Sequence, residues 1–204
     1  MVDRLTEWEE TFEDGAPDIT RADRFSSILV VVVAVGAVLL GLFLRQQASN
    51  EQWTFVSREA GIEAMYPAGW ITARGGGYVA RISNPIARPY KTQYIISVVP
   101  FSPQSSVRNV LDNLTIQRSN DLSAYRVLSI DEVNLGGAAL TEMSFAFVDA
   151  DPNPFIQRLP VVVQGRDVVI VDGNRAIIVT FMSEQSRFEE NLPDFQRFLS
   201  SLRY

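Results

Sequence analysis

The feature that most constrains this chain of 204 residues is an uncharged apolar run over residues 25–44, which reads FSSILVVVVAVGAVLLGLFL. Fourteen of its twenty residues are Val, Leu, Ile or Phe. At a helical rise of about 1.5 Å per residue the run is ~30 Å long, which matches the hydrocarbon thickness of a bilayer. The run therefore predicts one transmembrane helix over 25–44.

A cleaved signal peptide is the competing interpretation of this run. Its apolar region would be shorter, about 7–15 residues, and would follow a basic segment. Residues 1–24 instead carry eight acidic residues and three arginines, and no small-x-small cleavage site follows the run. We therefore expect a retained single-pass anchor.

Arginines on the two sides of the run predict its orientation. Arg21 and Arg24 precede it, and Arg45 follows it. Because positive residues concentrate on the cytoplasmic side, the N-terminus is expected to be cytoplasmic. The C-terminal part would then be extracytoplasmic, attached to the inner membrane of a bacterial cell.

The anchor itself contains a candidate contact with other membrane subunits. Ala37 and Gly41 form a small-xxx-small pair, which lets two helix backbones approach closely in lipid. A helix that faces the lipid bilayer on all sides is the alternative.

The acidic tail, residues 1–24, contains a second candidate contact. Its sequence from Thr6 to Glu9 fits a capping box, the pattern that closes the first turn of a helix. Apolar residues recur three and four positions apart on this short helix, at Leu5, Trp8 and Phe12. We expect this stripe to dock on a neighbouring subunit, and a disordered tail is the alternative.

The absence of histidine and cysteine limits the chemistry of the chain. It excludes catalytic triads with histidine, thiolate nucleophiles, ordinary zinc sites and haem attachment through cysteine. Carboxylate or tyrosine chemistry would remain, but no paired motif emerges, so we expect a non-enzyme without cofactor or metal. The net charge of −6 argues against nucleic-acid binding.

Two short patterns imitate binding motifs. Residues 149–153, DADPN, begin like a calcium loop, but Pro154 and Pro160 replace the glycine and the glutamate that such a loop needs. The triplet at 75–77, GGG, could cradle an anion, but neither a helix nor a Lys-Ser/Thr pair follows it. We expect a proline-rich connection and a hairpin loop, respectively.

After a polar linker at 45–52, residues 53–204 are expected to form one domain. Ser105 or Ser106 is predicted to cap a first helix that ends near 122, and a capping box, SRFE at 186–189, to begin a last one. Short glycine-containing turns favour antiparallel hairpins. The pattern predicts an α+β fold, an antiparallel sheet flanked by helices, with strands near 53–57, 62–66, 78–83, 93–100, 125–133, 138–149, 158–164, 167–172 and 175–182.

Three stretches of this domain resemble the PsbP-like family. They are GIEAMYPAGW at 61–70, RAIIVTFMS at 175–183, and a terminal helix that closes with FLSSLR at 198–203. The resemblance implies a central antiparallel sheet with flanking helices. Plant members are extrinsic photosystem II subunits, and many bacterial relatives are membrane- or lipid-anchored. Metal-binding histidines of some members have no counterpart here.

Anchor, tail and resemblance together predict a non-catalytic accessory or scaffold subunit of a membrane protein complex, by analogy a photosynthetic or respiratory electron-transfer complex. The alternative is a membrane-anchored extracytoplasmic ligand-binding or sensor module. Its groove would be lined by aromatic residues, namely Tyr66, Trp70, Tyr78, Tyr90 and Tyr94. Packing of these rings in the core is the favoured interpretation, with Trp70 closing a layer.

Overall fold

The computed structural model describes residues 21–49, 51–102, 104–135, 138–150 and 159–204, and the side chains of 28–42 in the first helix. The chain divides into two units between Ser49 and Asn50. The helix and partner contact predicted for Leu5, Trp8 and Phe12 lie outside the described residues and stay predictions.

The first unit contains helix α1, Arg21–Ser49. Its described side chains, 28–42, are all exposed, and large apolar residues point in every direction around the helix. Among the residues that the structure describes, no helix has both the length and the apolarity needed to traverse a membrane. The span over 25–44 and the packing role of Ala37 and Gly41 stay predictions.

The described part of the second unit contains nine strands and two α-helices. Helix α2, Val107–Asp121, follows the fifth strand, and helix α3, Phe188–Ser201, follows a short 3-10 turn at Gln185–Arg187. The strands are β1 Gln52–Ser57, β2 Ile62–Pro67, β3 Ile71–Gly75, β4 Tyr78–Ser83, β5 Gln93–Pro100, β6 Ser123–Leu135, β7 Ala138–Asp149, β8 Val161–Asp172 and β9 Arg175–Glu184.

Seven strands form one antiparallel sheet in the order β3-β4-β5-β9-β8-β7-β6, and β1 and β2 form a separate hairpin. The central strand β9 is buried from Ala176 to Ser183, because layers cover both faces of the sheet. Such a strand reads as a continuous apolar run, without the alternation of a half-buried strand. The predicted α+β fold with an antiparallel sheet and helices is confirmed.

One face of the sheet is covered by α3 and the β1–β2 hairpin. Phe188, Phe195 and Phe198 of α3 are buried there together with Ile62 and Tyr66 of β2. The hairpin is held by the end of the chain, because Glu63 and Arg203 exchange two backbone hydrogen bonds of 2.9 and 2.8 Å. Helix α2 covers the other face, with buried residues Val110, Leu111, Met143, Val169 and Ile178.

Helix boundaries show which capping predictions hold. Ser106 caps α2, and its hydroxyl accepts a hydrogen bond of 3.2 Å from the Asn109 amide. The capping box at 186–189 was wrong: α3 begins after Arg187 without a side-chain cap. Pro193 lies inside a single continuous α3.

Two strand predictions were also wrong. Strand β3 was missed because all five of its residues are exposed, so no alternation marks it. Strand β8 was divided in two at QGRD, 164–167, because glycine and aspartate are common in turns. In the fold Gly165 faces the ring of Phe145 on the neighbouring strand β7. Asp167 is buried and forms an ion pair with Arg118. Both residues therefore belong to one continuous strand.

Candidate functional site

A cleft of about 1010 Å³ lies between the turn that joins β1 to β2 and the turn that joins β3 to β4. The first turn supplies Arg58, Glu59 and Ala60, and the end of β3 with the second turn supplies Arg74 and the three glycines 75–77. Val79 of β4 and Val98 of β5 provide apolar lining. The cleft therefore combines an apolar part with charged side chains.

Arg74 links the two walls of the cleft. Its Nη2 donates a 3.4 Å hydrogen bond to the Val56 carbonyl, and its guanidinium lies 5.9 Å from the centre of the Phe55 ring. Neither contact neutralises its charge. Arg58 is exposed, and neither arginine forms an ion pair with any of the described residues.

The glycine-rich turn is shaped by Tyr78. A Cβ at position 75 would lie 2.7 Å from Cζ of this tyrosine, so a larger residue there would force the half-buried ring to move. The Arg81 guanidinium stacks on the same ring, with its Cζ 4.6 Å from the ring centre. Ser97 of β5 donates a 3.3 Å hydrogen bond to the Gly77 carbonyl. The turn is thus the hairpin loop that the sequence predicts.

Two guanidinium groups that no described carboxylate pairs with, beside an apolar surface, favour ligands with carboxylate or other anionic oxygens. The sequence did not indicate this pairing, because Arg58 and Arg74 belong to different hairpins and only the fold brings them to one cleft. Among seventeen arginines no local spacing distinguishes these two.

The five aromatic residues proposed for a groove do not line a single site. Tyr66 and Tyr94 are buried in the core, and Tyr94 is fully enclosed. Tyr78 lines the cleft, and Tyr90 lies beside Phe147 on the opposite face of the sheet. The groove hypothesis is therefore wrong in its geometry.

Trp70 closes a layer, as the sequence predicts. It is partly buried against the core, and its ring centre lies 4.8 Å from that of Tyr94. Gly69 just before it has a φ of +80°, a conformation that glycine adopts without strain. The chain can therefore turn after Pro67 and fold the indole back.

A buried ionic cluster joins α2 to the sheet. Asp167 is fully buried and forms an ion pair with Arg118, whose side chain is only 16% exposed. Thr180 donates a 2.6 Å hydrogen bond to Asp167 and accepts one of 3.2 Å from Arg118. The guanidinium also stacks 4.3 Å from the Phe145 ring centre.

Electrostatics keep the Arg118 guanidinium protonated. Burial acts to lower the pKa of Arg118, but the Asp167 carboxylate and its hydrogen bonds outweigh it and raise the pKa above its ordinary value. Arg118 of α2 contacts Asp167, Thr180 and Phe145 of the sheet, so we interpret the cluster as a structural link between α2 and the sheet. Its members were not singled out from the sequence.

Tyr90 lines a smaller cleft of about 490 Å³ with Arg88, Lys91 and Asp149. Its hydroxyl accepts a 2.6 Å hydrogen bond from Gln93. Burial raises the pKa of Tyr90 to about 12, so the phenol is neutral at physiological pH. Of the calcium-like pattern beginning at Asp149, positions 151–158 lie outside the described residues.

Comparisons with known proteins bear on the fold. No protein-family model matches the chain, and no curated protein matches it. Among solved structures, the cyanobacterial PsbP protein of Synechocystis, CyanoP, aligns over 74% of this chain and 91% of its own, with a TM-score of 0.55 and 12% identity.

Two further structures align less well. LpqN, involved in cell envelope biogenesis of Mycobacterium tuberculosis, has a TM-score of 0.48 and 10% identity over 74% of this chain and 89% of its own. The Saccharomyces cerevisiae Ran-binding protein Mog1p has a TM-score of 0.46 and 10% identity over 75% and 96%. The CyanoP alignment supports a PsbP-like fold for the C-terminal domain, and at these identities the likeness concerns the fold alone.

Proposed function

We propose that this protein is a non-catalytic accessory subunit of a membrane protein complex. In this proposal residues 25–44 hold it in the bilayer and the PsbP-like domain docks on a neighbouring subunit outside the cytoplasm. The observation that carries the proposal is the uniformly apolar, exposed surface of α1 over 28–42. A helix that is apolar all round must be covered, by lipid or by other helices.

Two observations support the accessory role. The domain has the fold of CyanoP, and its cleft carries two arginines that no described carboxylate neutralises. By analogy with PsbP-like proteins, photosynthetic and respiratory electron-transfer complexes are the first to be searched for a partner. The tail with Leu5, Trp8 and Phe12 and the small residues Ala37 and Gly41 are the proposed contacts with other subunits.

The alternative of an anchored ligand-binding or sensor module is favoured by a different observation, the presence of a cleft that combines apolar lining with Arg58 and Arg74. The aromatic groove first suggested for this alternative does not exist, because Trp70 and Tyr94 pack in the core where an apolar pocket was expected. A small ligand would have to bind at Arg58 and Arg74 instead.

Membrane extraction and native electrophoresis test the proposal. Membranes of the source organism are washed with carbonate at high pH, solubilised in mild detergent and separated under native conditions. We expect the full chain to resist carbonate and to migrate in a complex of fixed mass well above 22.8 kDa. A chain released by carbonate, or a monodisperse free monomer, would contradict it. A full-length variant with Val31 and Val35 changed to Asp is the control for membrane attachment.

A further inference from the structure

Two strands that each have an edge unpaired by any described strand contribute residues to the cleft: β1 supplies Val56 and Ser57, and the end of β3 supplies Arg74 and Gly75. Among the described strands β1 pairs with β2 alone, and β3 is the terminal strand of the seven-stranded sheet. All five residues of β3, Ile71–Gly75, are exposed. Such an edge presents backbone N–H and C=O groups that can hydrogen-bond an added strand.

The opposite edge of the sheet is less suited to an added strand. Strand β6 has register shifts between Ser123 and Arg126 and between Val127 and Ser129. Bulges of this kind interrupt the regular ladder that an incoming strand needs. In β3 the one shift lies between Ala73 and Gly75, which leaves Ile71–Ala73 in regular register.

The charge beside β3 indicates the chemistry of an added segment. Arg58 and Arg74 line the cleft, and Glu59 is the one acidic residue among the lining. Residues 51–204 as a whole have sixteen acidic and fourteen basic residues, so a net positive cleft departs from the character of the domain. Guanidinium groups pair best with carboxylates, which they can hold through two hydrogen bonds.

The shape of the cleft favours a chain segment over a small ligand. Its volume of about 1010 Å³ is at the upper limit of typical small-molecule pockets, about 300–1,000 Å³. Val56, Arg58 and the glycines at 75–77 are exposed, so the walls do not enclose an occupant. An extended peptide can lie along such an open cleft.

We propose that the cleft binds an extended acidic segment of a partner polypeptide. The segment pairs its backbone with the free edge of β3 at residues 71–73, beside the cleft, and its carboxylates reach Arg58 and Arg74 within the cleft. This inference rests on the proposed accessory role, for which it names the chemistry of the partner.

Peptide selection on the full chain in detergent tests the inference. A phage-displayed library of random eight-residue peptides is panned on the wild type and on Arg58→Gln, an exposed position without described contacts. We expect enriched peptides to carry at least two acidic residues and to bind Arg58→Gln at least fivefold more weakly. Arg108→Gln, which removes an exposed arginine on α2, should leave the affinity unchanged. Absence of enrichment, enrichment of neutral or basic peptides, or equal affinity for Arg58→Gln would overturn the inference.

Backbone methylation of the best peptide separates strand addition from simple charge attraction. N-methyl groups at alternate positions should weaken binding more than tenfold in one register and little in the other, because only one edge of the peptide faces β3. Equal tolerance in both registers, or full displacement by free glutamate, would show an anion site without strand pairing and overturn the inference.

The peptide experiment and the native electrophoresis can fail independently of each other. If no acidic peptide binds while the native complex is still observed, the inference fails and the accessory role stands. If acidic peptides bind while the chain migrates as a free monomer, the accessory role fails, and the cleft is still a binding site for acidic peptides.

Discussion

Gly165 of β8 lies directly under the ring of Phe145, its partner across the strand pair with β7. A Cβ at position 165 would be 2.1 Å from Cζ of that ring, closer than any real side-chain contact. Phe145 in turn lies beneath the guanidinium of Arg118. One glycine therefore makes room for the ring that supports the buried ion pair.

Gly165→Ala is expected to lower the free energy of unfolding by about 2–3 kcal/mol, because overpacking a closed core forces the ring or the strand to move. Urea unfolding of the full chain in detergent, followed by circular dichroism, measures this. Phe145→Leu in the same chain should recover part of the loss. Gly76→Ala, where nothing lies within 4 Å of the added Cβ, is the matched control. Equal effects of Gly165→Ala and Gly76→Ala would show that the ring is not confined.

Asp167→Asn should be among the most destabilising single changes in the domain. Removing one partner leaves the Arg118 charge buried without compensation, which costs roughly 3–5 kcal/mol. Replacing both, with Arg118→Met and Asp167→Leu, should recover much of the loss. Asp112→Asn in the exposed Arg108–Asp112 pair should cost about 0.5 kcal/mol or less. Urea unfolding compares the free energies of unfolding of these three variants. A double variant that is no more stable than Asp167→Asn would argue against a coupled pair.

Tyr94→Phe is expected to stabilise the protein slightly. The Tyr94 hydroxyl is buried and finds no hydrogen-bond partner among the described residues. A buried hydroxyl without a partner costs about 1–3 kcal/mol, so removing it should raise the free energy of unfolding by about 1 kcal/mol. The ring contacts with Trp70 and Phe198 remain. A loss of stability would mean that the hydroxyl is satisfied in solution.

Alkaline pH should weaken the fold through Tyr90. Its pKa is about 12 in the fold, against about 10 in an unfolded chain. The folded state therefore holds this proton more tightly, and stability present below pH 10 declines as the pH rises toward 12. Urea midpoints measured from pH 9 to 12 should fall less steeply for Tyr90→Phe than for the wild type. Identical slopes would show that Tyr90 does not contribute.

Patterns with a clear period allowed most of the second unit to be predicted from the sequence. The cap at Ser106 and the short glycine-containing turns each depend on neighbours along the chain. The antiparallel sheet follows from the turns, because they join consecutive strands as hairpins. The resemblance through 61–70 also led to the fold that CyanoP shares.

Features that depend on partners distant in sequence could not be predicted. Gly165 and Asp167 resembled a turn because their partners, Phe145 and Arg118, are 20 and 49 residues away. The exposed edge strand β3 has no buried face and therefore no period. The cleft was missed for the same reason, since Arg58 and Arg74 meet only across two hairpins.

Photo-crosslinking from α1 tests the accessory role most directly. Val30 and Val33 lie on the side of the helix that carries Ala37 and Gly41, whereas Val32 and Leu39 lie on the opposite side. A photoreactive residue is placed at each position in the full chain and activated in native membranes. We predict a discrete protein adduct from the first pair and none from the second. Adducts from neither pair would contradict a packed subunit and leave α1 surrounded by lipid.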